Sequence, residues 1–254
     1  MKTMLRKLKT LIRLTRDLLL SFIGTKNAHF LSAEETIQLC VEQKKSIIRF
    51  GDGEFNMLRG LDISYQRNHP ELKRLLEATI KEYLNSLEKC PYILCMPGDF
   101  LKCSGFKLLK RQTYFRSWSP SRRYFNQHFD FPITYGDAFL FATEYQNIYP
   151  QIWTKSDISH IVFVNPSEAA FNEFNSTVSC RVSFVPIPSE NAFSQMDNIL
   201  DEIKKTIGSE AQATTMVLTS AGPCGKALVF ALSMQGFRAI DTGHCFQNPL
   251  HKIV

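Results

Sequence analysis

Apolar positions along the chain fall into two rhythms: short continuous runs, and longer segments with helical spacing. The alternation is most regular from residue 158 onward. ISHIVFVNP, CRVSFVPIP, TTMVLTSAG and FRAID are apolar runs bounded by Gly, Pro and short polar residues, the pattern of strands covered on both faces. Between them lie SEAAFNEF, NAFSQMDNILDEIKKTIG and CGKALVFALSMQG, which space their apolar residues as helices do. The first half repeats the scheme less evenly. SAEETIQLCVEQKK (32–45) opens with Ser32 and Glu35 in capping-box register. IIRFGDGEF (47–55) reads as a strand that ends in two glycines. HPELKRLLEATIKEYLNSLEK puts Pro70 in a first turn and Leu72, Leu75, Leu76, Ile80, Tyr83, Leu84 and Leu87 on one face, and PYILCMPG (91–98) reads as a short buried strand. Residues 99–157 are aromatic-rich and irregular, with helical patches such as SGFKLLKRQTYFRSW, and are expected to form an inserted, substrate-facing subregion. Short strands alternating with helices require crossover connections. The predicted class is α/β, a doubly wound, mainly parallel Rossmann-like sheet with helices on both faces.

Residues 1–22 follow a different pattern. Met4, Leu5, Leu8, Leu11, Ile12, Leu18, Leu19 and Phe22 recur at helical spacing, while Lys2, Arg6, Lys7, Lys9, Arg13 and Arg16 fill other positions. The basic residues interrupt the run too often for a membrane span, and Arg13, Arg16 and Asp17 break any signal-peptide core. Two readings stand: a helix packed on the domain, or an amphipathic helix lying on an anionic membrane surface. The expected organisation is a basic amphipathic helix with its linker over residues 1–30, then a single domain over 31–254.

Composition narrows the function classes. The chain has 254 residues, 44% of them hydrophobic and 21% charged, as an ordinary globular protein does. Part of its net charge of +6 comes from the N-terminal helix, and no long Lys/Arg run follows, which argues against a nucleic-acid partner. Seven cysteines form no CxxC pair, which suggests reduced thiols and a cytoplasmic setting.

In open α/β sheets, ligands bind beyond the carboxyl ends of the strands. The segments at those ends here are GDGE (51–54), MPG (96–98), NPSE (165–168), PSEN (188–191), SAGPCGK (220–226) and DTGH (241–244). In extended backbone Asp52 and Glu54 point the same way, and Gly51 and Gly53 let a ligand approach the chain. An ordinary Asp-Gly turn is the competing reading. In TSAGPCGK, Gly222 and Gly225 mark a strand-to-helix turn and Lys226 falls in the first helical turn, where backbone N–H groups can hold a phosphate. Asp241 and His244 end the last strand. A carboxylate pair, a phosphate-holding turn and a lysine together suggest a divalent cation bound with a diphosphate.

These residues also resemble a known family. IIRFGDGEFNMLRG…ISYQ, YGDAF, VPIPSENAF…DNIL and LTSAGPCGKALVFALSMQGFRAIDTGH, in this order over residues 46–247, are similar to the bacterial GT-D-type glycosyltransferases, formerly a domain of unknown function. The resemblance implies a Rossmann-like fold, a nucleotide-sugar donor such as a UDP-sugar, Mn²⁺ or Mg²⁺, a glycan or glycoprotein acceptor, and a role in surface glycoconjugate synthesis. By the same resemblance Asp52 and Glu54 match the metal motif. Arg49, Gly51, Gly53, Tyr65, Gln66, Gly222, Pro223, Lys226 and Asp241 match donor-binding positions. His244 joins Asp52 and Glu54 as a catalytic candidate. The chain departs from the pattern after His244, where CFQNPLHKIV replaces an acidic, aromatic-rich stretch, and at Asn165-Pro166, where Glu-Gly is expected. The competing functions are a metal-dependent phosphohydrolase of a nucleotide or sugar phosphate, and a non-catalytic scaffold of a glycan-assembly complex.

Overall fold

β-Branched and aromatic residues in unbroken runs form the strands, and each run stops where Gly, Pro or a short polar residue takes over. The computed structural model describes residues 2–22, 28–103, 107, 112–129, 133–155, 157–209, 212–247 and 249–251. The described residues divide into two compact units, one drawn from 1–29 and 97–134, the other from 30–96 and 135–253.

An eight-stranded sheet organises the larger unit. Its strands are β1 (His29–Phe30), β2 (Ser46–Arg49), β3 (Tyr92–Met96), β4 (Thr134–Asp137), β5 (His160–Asn165), β6 (Arg181–Pro186), β7 (Thr215–Thr219) and β8 (Arg238–Asp241). Their spatial order is β1-β4-β3-β2-β8-β7-β5-β6. From β4 to β6 every neighbouring pair is parallel, as the alternating pattern predicts. At the centre Ile47 is in register with Ile93 on one side and Ile240 on the other.

Parallel pairing demands crossovers, and helices α2 (Ala33–Glu42), α3 (Asp52–Leu58), α4 (Pro70–Ser86), α7 (Glu168–Thr177), α8 (Met196–Ile207) and α9 (Gly222–Ser233) supply them in this unit. Ser32 caps α2 as its sequence predicts: its hydroxyl accepts from Glu35 N–H at 3.1 Å and Glu35 returns a carboxylate to Ser32 N–H at 2.7 Å. Pro70 occupies the first turn of α4, behind an N-cap at His69. One core cluster joins Ala33, Ile37, Ile47, Ile161, Phe163, Phe174, Met216 and Ile240, all buried. All seven cysteines are free thiols.

β4 was not visible in the pattern, because only four residues of a Gly-containing segment form it. Gly136 explains why: a Cβ there would lie 2.5 Å from Cys95 Sγ and 2.8 Å from Thr36 Cγ2, so the neighbouring strand and α2 leave no room for a side chain.

The smaller unit contains α1 (Lys2–Ser21), α5 (Gly98–Lys102) and α6 (Gln112–His128). Phe100 of α5 stacks on Trp118 of α6 with ring centroids 4.3 Å apart, and Arg122 Nε donates to the Leu101 carbonyl at 2.7 Å. The helical patch expected over 104–118 is a helix from Gln112; residues 104–106 and 108–111 lie outside the described residues. Helix α1 lies against α6, yet Met4, Leu5, Leu8, Leu11, Ile12 and Leu19 remain exposed, Met4 at 79%. Among the described residues no helix is long and apolar enough to cross a membrane.

Candidate active site at the switch point

The chain steps outward from β2 through β3 to β4, then crosses over and returns inward to β8. The order therefore reverses between β2 and β8, the position at which open α/β sheets form their ligand crevice. Arg49 ends β2, Asp241 ends β8, and the first turns of α3 and α9 start just beyond the sheet.

The backbone through GDGE differs from the extended form expected above. Asp52 starts α3, with Gly51 as its N-cap, so Asp52 and Glu54 are the first and third residues of a helix. Residues two apart on a helix do not share a face. The cause is a local hydrogen bond: Glu54 Oε2 accepts from Gly51 N–H at 2.7 Å, as in the capping box, and this closes the first turn. Glu54 is buried, whereas Asp52 is half-buried.

Lys226 links these elements. Its ammonium lies 3.3 Å from Glu54 Oε1 and 3.2 Å from Asp241 Oδ2, and all three side chains are buried. Burial disfavours the charge on Lys226, but the Asp241 and Glu54 carboxylates outweigh it and raise its pKa above the ordinary lysine value. The expectation was a lysine turned toward a phosphate; its nearest partners here are two carboxylates. Arg49 completes the network. Its Nε donates to the Asp241 carbonyl at 2.8 Å and lies 3.8 Å from Asp241 Oδ2, and its Nη1 donates to the Ala138 carbonyl at 2.9 Å. The guanidinium also lies 5.1 Å from the centroid of the Phe141 ring.

Three carboxylates (Asp52, Glu54, Asp241) thus stand against two cations, leaving one formal negative charge. Asp52 has no hydrogen bond or ion pair among the described residues. A hard divalent cation takes oxygen ligands, commonly one or two carboxylates completed by phosphate oxygens. Asp52 fits that role; Glu54 has both oxygens engaged within the protein. Among the described residues no group of three or more His, Cys, Asp or Glu side chains is arranged to hold a metal ion.

Gly222 and Tyr65, far apart in sequence, meet here. Gly222 has a positive φ of 54°, and a Cβ on it would lie 2.7 Å from Tyr65 Cε2, so the ring packs on the bare first turn of α9. Pro223 follows in that turn without loss of a hydrogen bond, since the first N–H groups of a helix have no internal partner. A Cβ on Gly53 would meet only Ile63, at an ordinary 3.5 Å, so no close approach demands a glycine there. Tyr65 is 37% exposed, but protein surrounds it closely enough that burial, with the Glu54 charge, raises its phenol pKa. It stays protonated and able to donate.

Gln66 serves the loop rather than the charged network. Its Oε1 accepts from Phe193 N–H at 3.3 Å and its Nε2 donates to the Arg67 carbonyl at 2.9 Å. The sequence reading missed the residue that holds this loop. Asn191, in left-handed backbone with φ 52°, donates its N–H to the Tyr65 carbonyl at 2.8 Å and accepts from Arg67 N–H at 2.8 Å. An Asn inside PSENAF was the available signal, because Asn tolerates that conformation.

His244 lines a narrow crevice with Arg49, Phe141 and Thr242. Burial lowers its pKa below the ordinary 6.5, and the nearby Lys226 and Arg49 charges lower it further. The imidazole is neutral at physiological pH, as a proton acceptor must be.

Comparisons with known proteins bear on the family and the fold. A family model described as "Glycosyltransferase GT-D fold" matches residues 47–248. The chain belongs to the GT-D glycosyltransferase fold family. Glycosyltransferase GlyD of Streptococcus pneumoniae is 25% identical over 226 residues, which is 83% of this chain and 26% of that protein. The chain spans less than a third of the length of the curated relatives it matches. A solved structure described as "The highly conserved domain of unknown function 1792 has a distinct glycosyltransferase fold" superposes with a TM-score of 0.70 at 22% identity, covering 94% of this chain and 87% of that one. A second, "A New Glycosyltransferase (DUF1792) from Streptococcus sanguinis", gives 0.69 at 23% identity over 86% of this chain and 82% of that one. The GT-D match begins at the strand before Asp52 and ends beyond His244, so it contains the whole charged network.

Two outcomes follow from the charges. Lys226→Met leaves Glu54 and Asp241 buried without their shared cation, and is expected to cost about 3–5 kcal/mol at pH 7. The deficit should shrink as pH falls toward the carboxylate range, because protonation removes the unpaired charges; urea denaturation at pH 7 and pH 5 measures both. For His244, an NMR titration of the imidazole should give a pKa below 6.5 in the folded chain. A value above 6.5 would remove the electrostatic case for a neutral base.

Proposed function

We propose that this chain transfers a sugar from a nucleotide-sugar donor, a UDP-sugar, to a glycan or glycoprotein acceptor. A divalent cation, Mn²⁺ or Mg²⁺, is held at the Asp52–Glu54 turn. The observation that carries this reading is Asp52, whose carboxylate is unpartnered among the described residues, at a helix start beside a cluster in which Lys226 and Arg49 balance Glu54 and Asp241. When bound, the cation supplies charge compensation for a diphosphate leaving group. The start of α9, where the N–H groups of Gly222 and Cys224 have no partner within the helix and Pro223 has none to offer, favours phosphate. Tyr65 closes over that turn and donates through its hydroxyl. Arg49 holds Asp241 in place, and neutral His244 accepts the proton of the attacking hydroxyl. Surface glycoconjugate synthesis at the inner face of the cell membrane is the setting this activity suits. The phosphohydrolase alternative uses the same acids, and a UDP-sugar incubated without acceptor discriminates: a transferase turns it over slowly, a hydrolase at full rate.

Membrane contact belongs to the same proposal. The exposed stripe of Met4, Leu5, Leu8, Leu11, Ile12 and Leu19 lies beside Arg6, Lys9 and Arg13, the arrangement of a helix in an anionic interface.

Asp52→Asn should change folding stability by no more than about 0.5 kcal/mol, as at a partly exposed site without partners. It should also abolish the Mn²⁺-dependent part of UDP affinity in a calorimetric titration. Glu54→Gln should cost about 1–3 kcal/mol, since it weakens a buried charged contact. UDP binding by Asp52→Asn with undiminished Mn²⁺ dependence would end the metal reading. A Leu8→Ser/Leu11→Ser/Ile12→Ser variant should partition to phosphatidylglycerol vesicles at least about tenfold less than wild type, because each buried aliphatic side chain contributes on the order of 1.5–3 kcal/mol. Equal partitioning in a vesicle co-sedimentation assay would detach α1 from the membrane.

A further inference from the structure

A second cavity begins one residue beyond Tyr65. It has a volume of about 890 Å³ and runs between the loop of residues 66–69 and the start of α8. That volume is at the upper end of what a single small ligand occupies, so there is room for more than one ring. The walls are fixed by hydrogen bonds already described: Gln66 is tied to Phe193 and Asn191 to Arg67. The His69 and Phe193 rings lie 5.5 Å apart at 45°. His69 Nδ1 accepts from Glu71 N–H at 3.2 Å as the cap of α4, which in the neutral ring leaves the proton on Nε2 as a donor.

Glu71 also lines this cavity but is paired with Arg74, which leaves two charged groups of opposite sign without a partner. The Arg67 guanidinium and the Asp197 carboxylate both line it, and neither makes a side-chain hydrogen bond or ion pair among the described residues. A planar five-donor fork, a carboxylate with two acceptors and ring faces together suit a ligand that is uncharged and dense in hydroxyls. A nucleobase would ask for a narrow stacking slot, and a phosphate for a cluster of one sign. Resting on the transferase reading, we propose that this groove is the acceptor subsite and binds a saccharide, its hydroxyls held by Arg67 and Asp197 and its ring faces packed against His69 and Phe193. The groove would then deliver the acceptor at Gln66, next to the ring that covers the donor turn.

The test uses the full chain and an Arg67→Ala/Asp197→Ala variant, both positions exposed and outside the core. Lactose, cellobiose and N,N′-diacetylchitobiose serve as probes. Saturation-transfer NMR should show at least one of them bound to wild type and lost from the variant, while UDP affinity with Mn²⁺ is unchanged. With that saccharide as acceptor, the variant should raise KM at least about tenfold and leave kcat within about twofold. Three results overturn the proposal: no probe bound by wild type, equal binding by the variant, or UDP affinity falling together with saccharide binding, which would assign the groove to the donor. Wild type that binds a saccharide but neither UDP nor a UDP-sugar would sink the transferase reading while leaving the groove as a sugar site.

Discussion

A buried ammonium shared by two carboxylates holds this site together. Lys226 is the fifth residue of α9, Glu54 comes from the first turn of α3, and Asp241 from the end of β8, so a single charge fixes three elements in one geometry. Each partner alone would be a costly buried ion, and together they satisfy one another. The same contact explains why α3 begins where it does. Glu54 turns back to cap Gly51 with one oxygen and reaches Lys226 with the other, so the short helix is anchored at its start as well as by buried Phe55, Met57 and Leu58.

From this pairing comes a division of labour among acids that look alike in sequence. Glu54 and Asp241 are counter-ions to Lys226, while the half-buried Asp52 side chain pairs with none of the described residues. Arg49 sets Asp241 through both its backbone and its side chain, so the charge at the end of β8 cannot swing into the crevice. The bare first turn of α9 is covered by Tyr65, and Tyr65 is held by Asn191 from the segment that follows β6. The start of α9 and the neighbouring groove therefore share one loop.

The architecture was legible because parallel strands buried on both faces leave unbroken apolar runs. Those of β5, β7 and β8 were found with nearly their observed bounds, and Pro70 and Ser32 marked helix starts through chemistry that needs no tertiary context. The site was legible only as a set of positions. That the strand edge gathers Arg49, Glu54, Lys226, Asp241, Tyr65 and Gly222 follows from topology, which the alternation implies. What each side chain touches does not follow. Lys226 looked like a phosphate ligand because its partners lie 172 residues before it and 15 after it. The GDGE turn looked extended because the bond that makes it helical runs from a side chain to the backbone, a contact that periodicity does not record. β4 was hidden for a similar reason, since Gly136 owes its place to crowding by Cys95 and Thr36.

The central pairing of β2 with β8 has a consequence for how the protein comes into being. Ile47 and Ile240 are neighbours in the sheet, and Arg49 needs Asp241, although 192 residues separate that pair along the chain. Contacts so distant in sequence close late, after a large loss of chain entropy, and during synthesis the N-terminal half is complete long before its partner strand exists. Until β8 inserts, Arg49 lacks its carboxylate and Lys226 has only Glu54. Completion of the fold and assembly of the charged site are thus one event, and a chain caught before it carries an open strand edge in place of a working crevice.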